Sequence, residues 1–291
     1  MFALFLHAAS ASLAFMVYTQ ANLSTSLVFP KHQYVFTDKV EVITTFDRIL
    51  TGINVPLLVF LNETLTAVSH LIAVGLWIFG WKERADSVRR WAEYAVTAGL
   101  LESAILLGMG EFNAWVHLLV LILNVIMQWG GYIIDQHLMR NEDAIMYLFT
   151  PWVAFATIFG MVLVNTMNTQ QTDGKDVVEF GVLTIFYGVS YAMFGVHHTM
   201  LALRWSWYKY NVDEIFVVLS ITAKIILSWV LLSKTFIGTA RLGDASNEIW
   251  GMDEGAWDIV QISVSSVFFV GMAASFWLLR GTSQREKRLD V

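Results

Sequence analysis

The sequence predicts an all-α integral membrane protein, a bundle of transmembrane helices around one buried lysine. Hydrophobic residues make up 56% of the 291 residues and charged residues only 14%, whereas soluble domains carry about 45–50% apolar and about 25% charged residues. The apolar residues form runs as long as the roughly 20 residues that a helix needs to cross a bilayer. Lys224 stands in the middle of one such run, where a charge is costly.

Eight apolar runs predict eight spans. They cover residues 1–20, 53–80, 87–109, 113–136, 147–167, 178–203, 212–236 and 258–280. The last run is long enough to cross with modest tilt, and its few central serines are too few for a helix lying on the membrane surface. The chain is therefore expected to contain a seven-span domain, 1–236, and a C-terminal part, 237–291, with a loop, an eighth span and a basic tail.

The longest connection runs from Ala21 to Gly52. Two short segments in it, 34–36 and 40–43, are rich in β-branched and aromatic residues, which favours a β-hairpin. Pro30 is expected in a loop of the same connection.

Lys and Arg residues cluster in the short loops on one side of the predicted spans. Because such clustering marks the cytoplasmic side, both termini are expected in the cytoplasm. A cleaved signal peptide is the alternative for the first run, since small residues follow His7. The lack of a basic region before that run favours a retained span.

Several function classes find no support. The chain has no cysteine, so it can form neither a disulfide nor a thiolate metal site. It also lacks a P-loop, a zinc-binding His-Glu-x-x-His helix and a Gly-x-Ser-x-Gly elbow. We expect no enzyme, no metal site and no nucleic-acid partner, and the lipid bilayer as the surrounding medium.

Lys224 is the first candidate functional residue, because it lies too deep in its span to reach either interface easily. One interpretation is a lysine in a buried ion pair. The other is a lysine that forms a Schiff base, which burial and a flexible stem favour. The depth of Lys224 favours the second.

A buried cation needs an anion nearby, or it loses its proton. Glu93 in the third span is the first candidate, because Thr97 continues its polar face one turn further. A salt bridge from Glu93 to Arg89 or Arg90 is the alternative. Glu102 lies nine residues further, about 180° around the helix, so the two acids cannot face the same pocket.

Other polar residues line single helix faces. Glu63, Thr66 and His70 share one face of the second span, and Asn124, Gln128, Gly131 and Asp135 share one face of the fourth. Such stripes either hold helices together by hydrogen bonds or line a proton path. For His7 and His70 we favour a hydrated cavity, since imidazole can hold or relay a proton. His197 and His198 receive no role.

Two motifs carry a resemblance to a known family. They are Arg-Trp-Ala-Glu-Tyr at 90–94 and Ser-Ile-Thr-Ala-Lys at 220–224, the latter followed by Trp229. His7, His70, Asp135 and Pro151-Trp152 stand where the family has similar residues. The chain thus resembles the heliorhodopsins, microbial rhodopsins of inverted topology, over residues 1–236. The predicted eighth span is a departure from that family.

The resemblance implies all-trans retinal bound covalently to Lys224 as a protonated Schiff base, with Glu93 as counterion and Ser220 as a hydrogen-bond partner nearby. The side chains that would flank the retinal polyene are Tyr94, Met127, Trp152 and Trp229. It also implies a homodimer and a light-sensing role with an unknown signalling partner. A proton conductor using His7, Glu63, His70 and Asp135 as relay sites, with Glu102 as a further candidate, is the alternative. A transporter or structural membrane protein without retinal is a third possibility.

Overall fold

A computed structural model of the chain describes residues 2–20, 25–36, 40–79, 83–173, 177–204 and 212–242. These residues form seven α-helices: α1 Phe2–Gln20, α2 Val55–Ile78, α3 Glu83–Gly108, α4 Ala114–Met139, α5 Phe149–Asp173, α6 Val177–Ala202 and α7 Val212–Leu242. The seven helices coincide with the first seven predicted spans, and the helical membrane fold is confirmed. The predicted eighth span, 258–280, lies outside the described residues and stays a prediction.

The predicted hairpin is present and is longer than the sequence indicated. Strand β1, Thr25–Phe36, pairs antiparallel with β2, Val40–Ile53. Pro30 lies inside β1, opposite Phe46, and not in a loop. A two-stranded sheet has only edge strands, and proline is tolerated there because its missing N–H can face away from the partner strand.

Local sequence explains where two helices begin. The Asn54 side chain accepts a hydrogen bond of 2.9 Å from the Leu57 N–H at the start of α2, and Asn113 accepts one of 3.0 Å from the Trp115 N–H at the start of α4. Both are N-caps that satisfy otherwise unpaired backbone groups. Gly110, at φ +85°, makes the turn between α3 and α4, a backbone region that glycine adopts without steric cost.

Consecutive helices pack side by side, and α7 closes the bundle by packing against α1, α2 and α3 as well as α6. Short connections make consecutive helices from α2 to α7 antiparallel, and the antiparallel hairpin between α1 and α2 returns the chain to the end of the bundle where α1 stops. The start of α1 therefore shares one end of the bundle, here called the N-terminal face, with the ends of α2, α4 and α6. The opposite end carries the β-hairpin and is called the hairpin face.

Four described segments are long and apolar enough to cross a membrane by length and composition: Val55–Ile78, Ala114–Met139, Ile145–Met167 and Ile215–Leu232. Ala3–Thr19 in α1 is a shorter apolar helix. Helix α3 is less apolar because it carries Glu93 and Glu102, and both of these side chains are buried in the bundle. Helix α3 therefore contributes both polar groups and apolar core residues, such as Leu101 and Ile105, to the interior of the bundle.

Candidate functional site

The side-chain nitrogen of Lys224 lies in the middle of the bundle and is almost completely buried. It donates hydrogen bonds to the Glu93 carboxylate, to Thr97 Oγ1 at 2.8 Å and to Thr66 Oγ1 at 3.1 Å. A lysine ammonium has three N–H donors, so all three have partners. Helices α2, α3 and α7 each supply one wall of this polar site.

Glu93 makes polar contacts with other side chains besides Lys224. Ser69 on α2 donates a 2.8 Å hydrogen bond to Glu93 Oε2, and the Arg89 guanidinium forms an ion pair with the same oxygen at 3.4 Å. The two interpretations of Glu93 therefore describe one arrangement, in which Glu93 pairs with both Arg89 and Lys224. Arg89 lies one turn closer to the N-terminal face and is the more exposed member of the group.

A second polar cluster adjoins the Lys224 site: Glu63 and Ser228 lie about one helical turn from Thr66 and Lys224 towards the hairpin face, and His70 lies about one turn from Thr66 towards the N-terminal face. His7 Nδ1 is 2.6 Å from Glu63 Oε2, and Ser228 donates a 2.5 Å hydrogen bond to Glu63 Oε1. His70 stacks on His7 with ring centroids 5.4 Å apart. His7 Nε2 is buried and has no hydrogen-bond partner among the described residues. The structure thus brings together three of the four predicted relay residues, namely His7, Glu63 and His70.

Asp135, the fourth predicted relay residue, lies apart from that cluster, near the N-terminal face. It accepts a hydrogen bond of 2.7 Å from the Trp91 indole and forms an ion pair with Arg90 at 3.2 Å. In the same stripe of α4, Asn124 donates hydrogen bonds to two backbone carbonyls of α3. This stripe holds α4 against α3, as the helix-packing interpretation predicts.

A cavity reaches from Lys224 towards α4, α5 and α6. Its walls are mostly apolar and aromatic: Trp91, Tyr94, Ala98, Met127, Gln128, Gly131, Ile134, Leu148, Pro151, Trp152, Phe155, Tyr191, Phe194, Gly195, His198, Phe216 and Ala223, with Lys224 itself. Such a lining is typical of a pocket for a small apolar molecule.

Two glycines leave room for the large rings of this cavity. A Cβ atom on Gly131 would lie 2.3 Å from the Trp91 ring, and one on Gly195 would lie 2.7 Å from the Trp152 ring. The Trp152 indole is further fixed by a 3.1 Å hydrogen bond to Thr199 Oγ1. The Trp91 and Trp152 rings are therefore held in place because they pack closely against Gly131 and Gly195.

Three of the four side chains predicted to flank the ligand do line the cavity, namely Tyr94, Met127 and Trp152. Trp229 is not among the lining residues, and its contact with the ligand stays a prediction. Its indole donates a 3.2 Å hydrogen bond to Ser10 on α1. Trp229 is five residues beyond Lys224, about 140° around the helix, so it faces a different neighbour.

Ser220 and Tyr94 both lie near the polar site around Lys224. Ser220 is buried one helical turn before Lys224, and the Tyr94 ring lies beneath the Lys224 amine at 4.2 Å from nitrogen to ring centroid. Among the described residues no hydrogen bond joins Ser220 to Lys224 or Glu93. The role of Ser220 as a hydrogen-bond partner in the Schiff-base environment stays a prediction.

Helix α6 supplies cavity residues that the sequence analysis missed. Tyr191, Phe194, Gly195 and His198 all line the cavity. The ring residues recur at i, i+3 and i+7, the spacing of one helix face. That stripe is a usable signal, although aromatic residues are common in membrane helices for other reasons.

The fold and the site together indicate the class of protein to which the chain is similar. A structure of thermophilic rhodopsin has a TM-score of 0.58 at 13% identity, covering 83% of this chain and 94% of that one. A halorhodopsin variant in its ground state has a TM-score of 0.55 at 12% identity, covering 83% and 96%. Exiguobacterium sibiricum rhodopsin has a TM-score of 0.54 at 13% identity, covering 64% and 84%. The chain therefore has the helical membrane fold of the microbial rhodopsins.

Within that class, residues 1–236 match the sequence profile of one family, the heliorhodopsins, and the chain belongs to it. No curated protein matches the sequence. Family membership makes the chain a multi-pass, retinal-binding and light-responsive membrane protein.

Proposed function

We propose that the chain is a photoreceptor, without enzymatic activity, that carries all-trans retinal as a protonated Schiff base on Lys224, with Glu93 as the principal counterion. The observation that carries the proposal is the position of the Lys224 amine. It lies at the polar end of a mostly apolar and aromatic cavity and touches a carboxylate.

The residues of the cavity fit the proposed group. A polyene is long, apolar and flat, and the cavity walls are rings from α3, α5, α6 and α7, with Gly131 and Gly195 giving two of these rings their space. Bound retinal supplies absorption of visible light and light-driven isomerisation. The role of Trp91, Tyr94, Trp152 and Phe194 is to limit the shapes that fit between them.

Glu93 suits the counterion role because of its other contacts. A protonated Schiff base has a single N–H where the free lysine has three. Glu93 is the charged partner among the three that surround the nitrogen, so it is expected to keep the hydrogen bond. Ser69 and Arg89 stabilise the carboxylate through a hydrogen bond and an ion pair, and charge-assisted contacts of this kind are the stronger ones.

The distribution of polar groups along the bundle favours sensing over transport. From Glu93, polar contacts continue through Arg89 towards the N-terminal face. Towards the hairpin face the buried polar side chains are those of Glu63, His7, Asn62 and Ser228, with a separate hydrogen bond between Ser10 and Trp229. The next turn on that side is formed by the buried side chains of Ala14, Val59, Leu231 and Leu232. An apolar layer of this kind, in the described part of the bundle, offers a proton no hydrogen-bonded route.

A proton conductor is the second candidate, and one observation favours it. The His7–Glu63 pair is close to Lys224, and His7 Nε2 has no partner among the described residues, so this cluster has capacity for a proton. Conduction would require the apolar layer to open in the light. Asp135 is less suited to this role than the sequence indicated, because the Trp91 and Arg90 side chains already hold it.

Two measurements test the proposal. The purified protein mixed with all-trans retinal should gain a visible absorption band that hydroxylamine bleaches under light. Failure to gain the band would refute retinal binding at Lys224. Voltage clamp of cells that express the pigment should show no photocurrent at any holding potential. A photocurrent that reverses with the proton gradient would replace the sensor by the conductor.

Orientation and assembly are part of the proposal. The Lys and Arg distribution supports a cytoplasmic N-terminal face, and epitope tags read from outside intact cells test it. A tag at the N-terminus should be hidden, and a tag in the hairpin connection at residues 37–39 should be accessible. The homodimer and a cytoplasmic C-terminus stay predictions.

A further inference from the structure

Glu102 is a buried acid that the proposed function does not use. Its side chain is fully buried on the face of α3 opposite to Glu93. The Tyr187 hydroxyl on α6 donates a 3.0 Å hydrogen bond to Glu102 Oε1. The other oxygen, Oε2, is also buried and has no hydrogen-bond partner among the described residues.

The surroundings of Glu102 provide no positive charge. Within the described part of the chain, the titratable groups that face it are Tyr187 and Tyr191, both on α6. The adjoining side chains of Leu101 and Ile105 are apolar and fully buried. An ionised carboxylate without a partner is so costly in such a medium that the group takes up a proton instead. Glu93, on the same helix, has two cations and a serine hydroxyl.

We propose that Glu102 is a proton-binding site that is occupied in the dark. Oε1 accepts the Tyr187 hydrogen bond, and Oε2 carries the proton. By the rise of an α-helix the site lies about 13.5 Å along α3 from Glu93, towards the hairpin face. It is therefore separate from both the Lys224 site and the His7–Glu63 cluster.

The acid is connected to the cavity through two rings. The Tyr187 ring packs against that of Tyr191 with centroids 4.6 Å apart, and Tyr191 lines the cavity. A change in the shape of the cavity that moves Tyr191 should alter the hydrogen bond from Tyr187 to Glu102. This second step rests on the proposed function, because it requires a light-responsive molecule in the cavity. The protonation of Glu102 does not.

Infrared spectroscopy of the full chain in the dark tests the protonation. A protonated carboxyl group has a C=O stretching band that a carboxylate lacks, and the band shifts in D₂O. Glu102→Gln should remove one such band, and Tyr187→Phe should move that band because its hydrogen bond is lost. If both variants leave the carboxyl region unchanged, Glu102 is ionised and the proposal is overturned. The Tyr187→Phe spectrum keeps the test decisive if Glu102→Gln fails to fold.

A light-minus-dark spectrum of the pigment tests the connection. We expect the band assigned through Glu102→Gln to shift on illumination in the native protein. A band that stays constant in a pigment that does respond to light overturns the connection while the dark result stands. If no pigment forms, the proposed function fails, and the dark measurement still decides whether Glu102 holds a proton.

Discussion

Two halves of the bundle use their buried residues differently. Helices α1, α2, α3 and α7 bring acids and bases into contact around Lys224. Helices α4, α5 and α6 face the same cavity mainly with rings and glycines. The first half controls where charge is held and adds the rings of Trp91, Tyr94 and Phe216 to the cavity, whereas the second half acts mainly on which shape fits. Substitutions in the first half should therefore act on colour and titration, and those in the second on retinal uptake and packing.

Lys224→Ala should have the largest effect, with complete loss of the visible band, because no other amine reaches the polar end of the described cavity. It also leaves Glu93 facing Arg89 alone, and breaking a buried ion pair typically costs about 3–5 kcal/mol of folding free energy. Lys224→Arg is the matched control, since it keeps the cation but cannot form the Schiff base. Absorption spectra after retinal addition and thermal unfolding should show both variants colourless and the arginine variant the more stable. A hydroxylamine-sensitive band in Lys224→Ala would refute the attachment site.

Glu93→Gln should have the next largest effect. Without the carboxylate, the protonated Schiff base is less stabilised, so the pigment should lose its proton, and its visible band, at lower pH. Where the proton remains, absorption should move to longer wavelength, because a counterion holds positive charge at the nitrogen in the ground state. A spectrophotometric pH titration measures both changes.

Glu102→Gln is the matched control for Glu93→Gln, because it removes an acid from the opposite face of the same helix. It should leave both the absorption maximum and the titration midpoint close to those of the native pigment. If Glu102→Gln moves them and Glu93→Gln does not, the charge-holding half of the bundle has been assigned to the wrong face of α3.

Gly195→Ala tests the shape-selecting half. The added Cβ would lie 2.7 Å from the Trp152 ring, so Trp152 must shift into the cavity, and overpacking of this kind costs about 1–3 kcal/mol. Gly160→Ala on α5 is the control, because nothing lies within 4 Å of its Cβ position and alanine favours a helix by up to about 1 kcal/mol. Retinal uptake should slow in Gly195→Ala only, and equal uptake in both variants would mean that Trp152 does not bound the ligand.

The sequence predicted the functional residues of the charge-holding half (α1, α2, α3 and α7) better than those of the shape-selecting half (α4, α5 and α6), for a physical reason. Lys224 and Glu93 stand out because a charge in an apolar run is rare and costly. The rings of α6 do not stand out, because an aromatic side chain suits the lipid, the interface and a cavity alike. Only the side-to-side packing of α5, α6 and α7 shows that Phe194 and Phe216 face inward.

The hairpin shows a second limit of sequence analysis. A short pairing around residues 34–43 was predicted from local β propensity, while the ladder continues to Thr25 and Ile53. Its extent depends on contacts distant in sequence. Val28 donates a 2.9 Å hydrogen bond to the Phe112 carbonyl, and the Phe29 ring stacks on Trp115 with centroids 4.4 Å apart. These contacts fix the base of the hairpin to the α3–α4 turn.

Trp229→Phe should have the smallest effect, and it separates the resemblance to the family from the geometry of this chain. If Trp229 flanked the polyene, loss of the indole would change the absorption maximum. The structure directs it to Ser10 on α1 instead, so phenylalanine should remove one neutral hydrogen bond, worth about 0.5–1.5 kcal/mol, and leave the spectrum unchanged. Trp152→Phe is the control on the cavity side and should change the spectrum. A colour change in Trp229→Phe as large as in Trp152→Phe would mean that α7 is rotated from its described position and that Lys224 reaches the cavity from a different side.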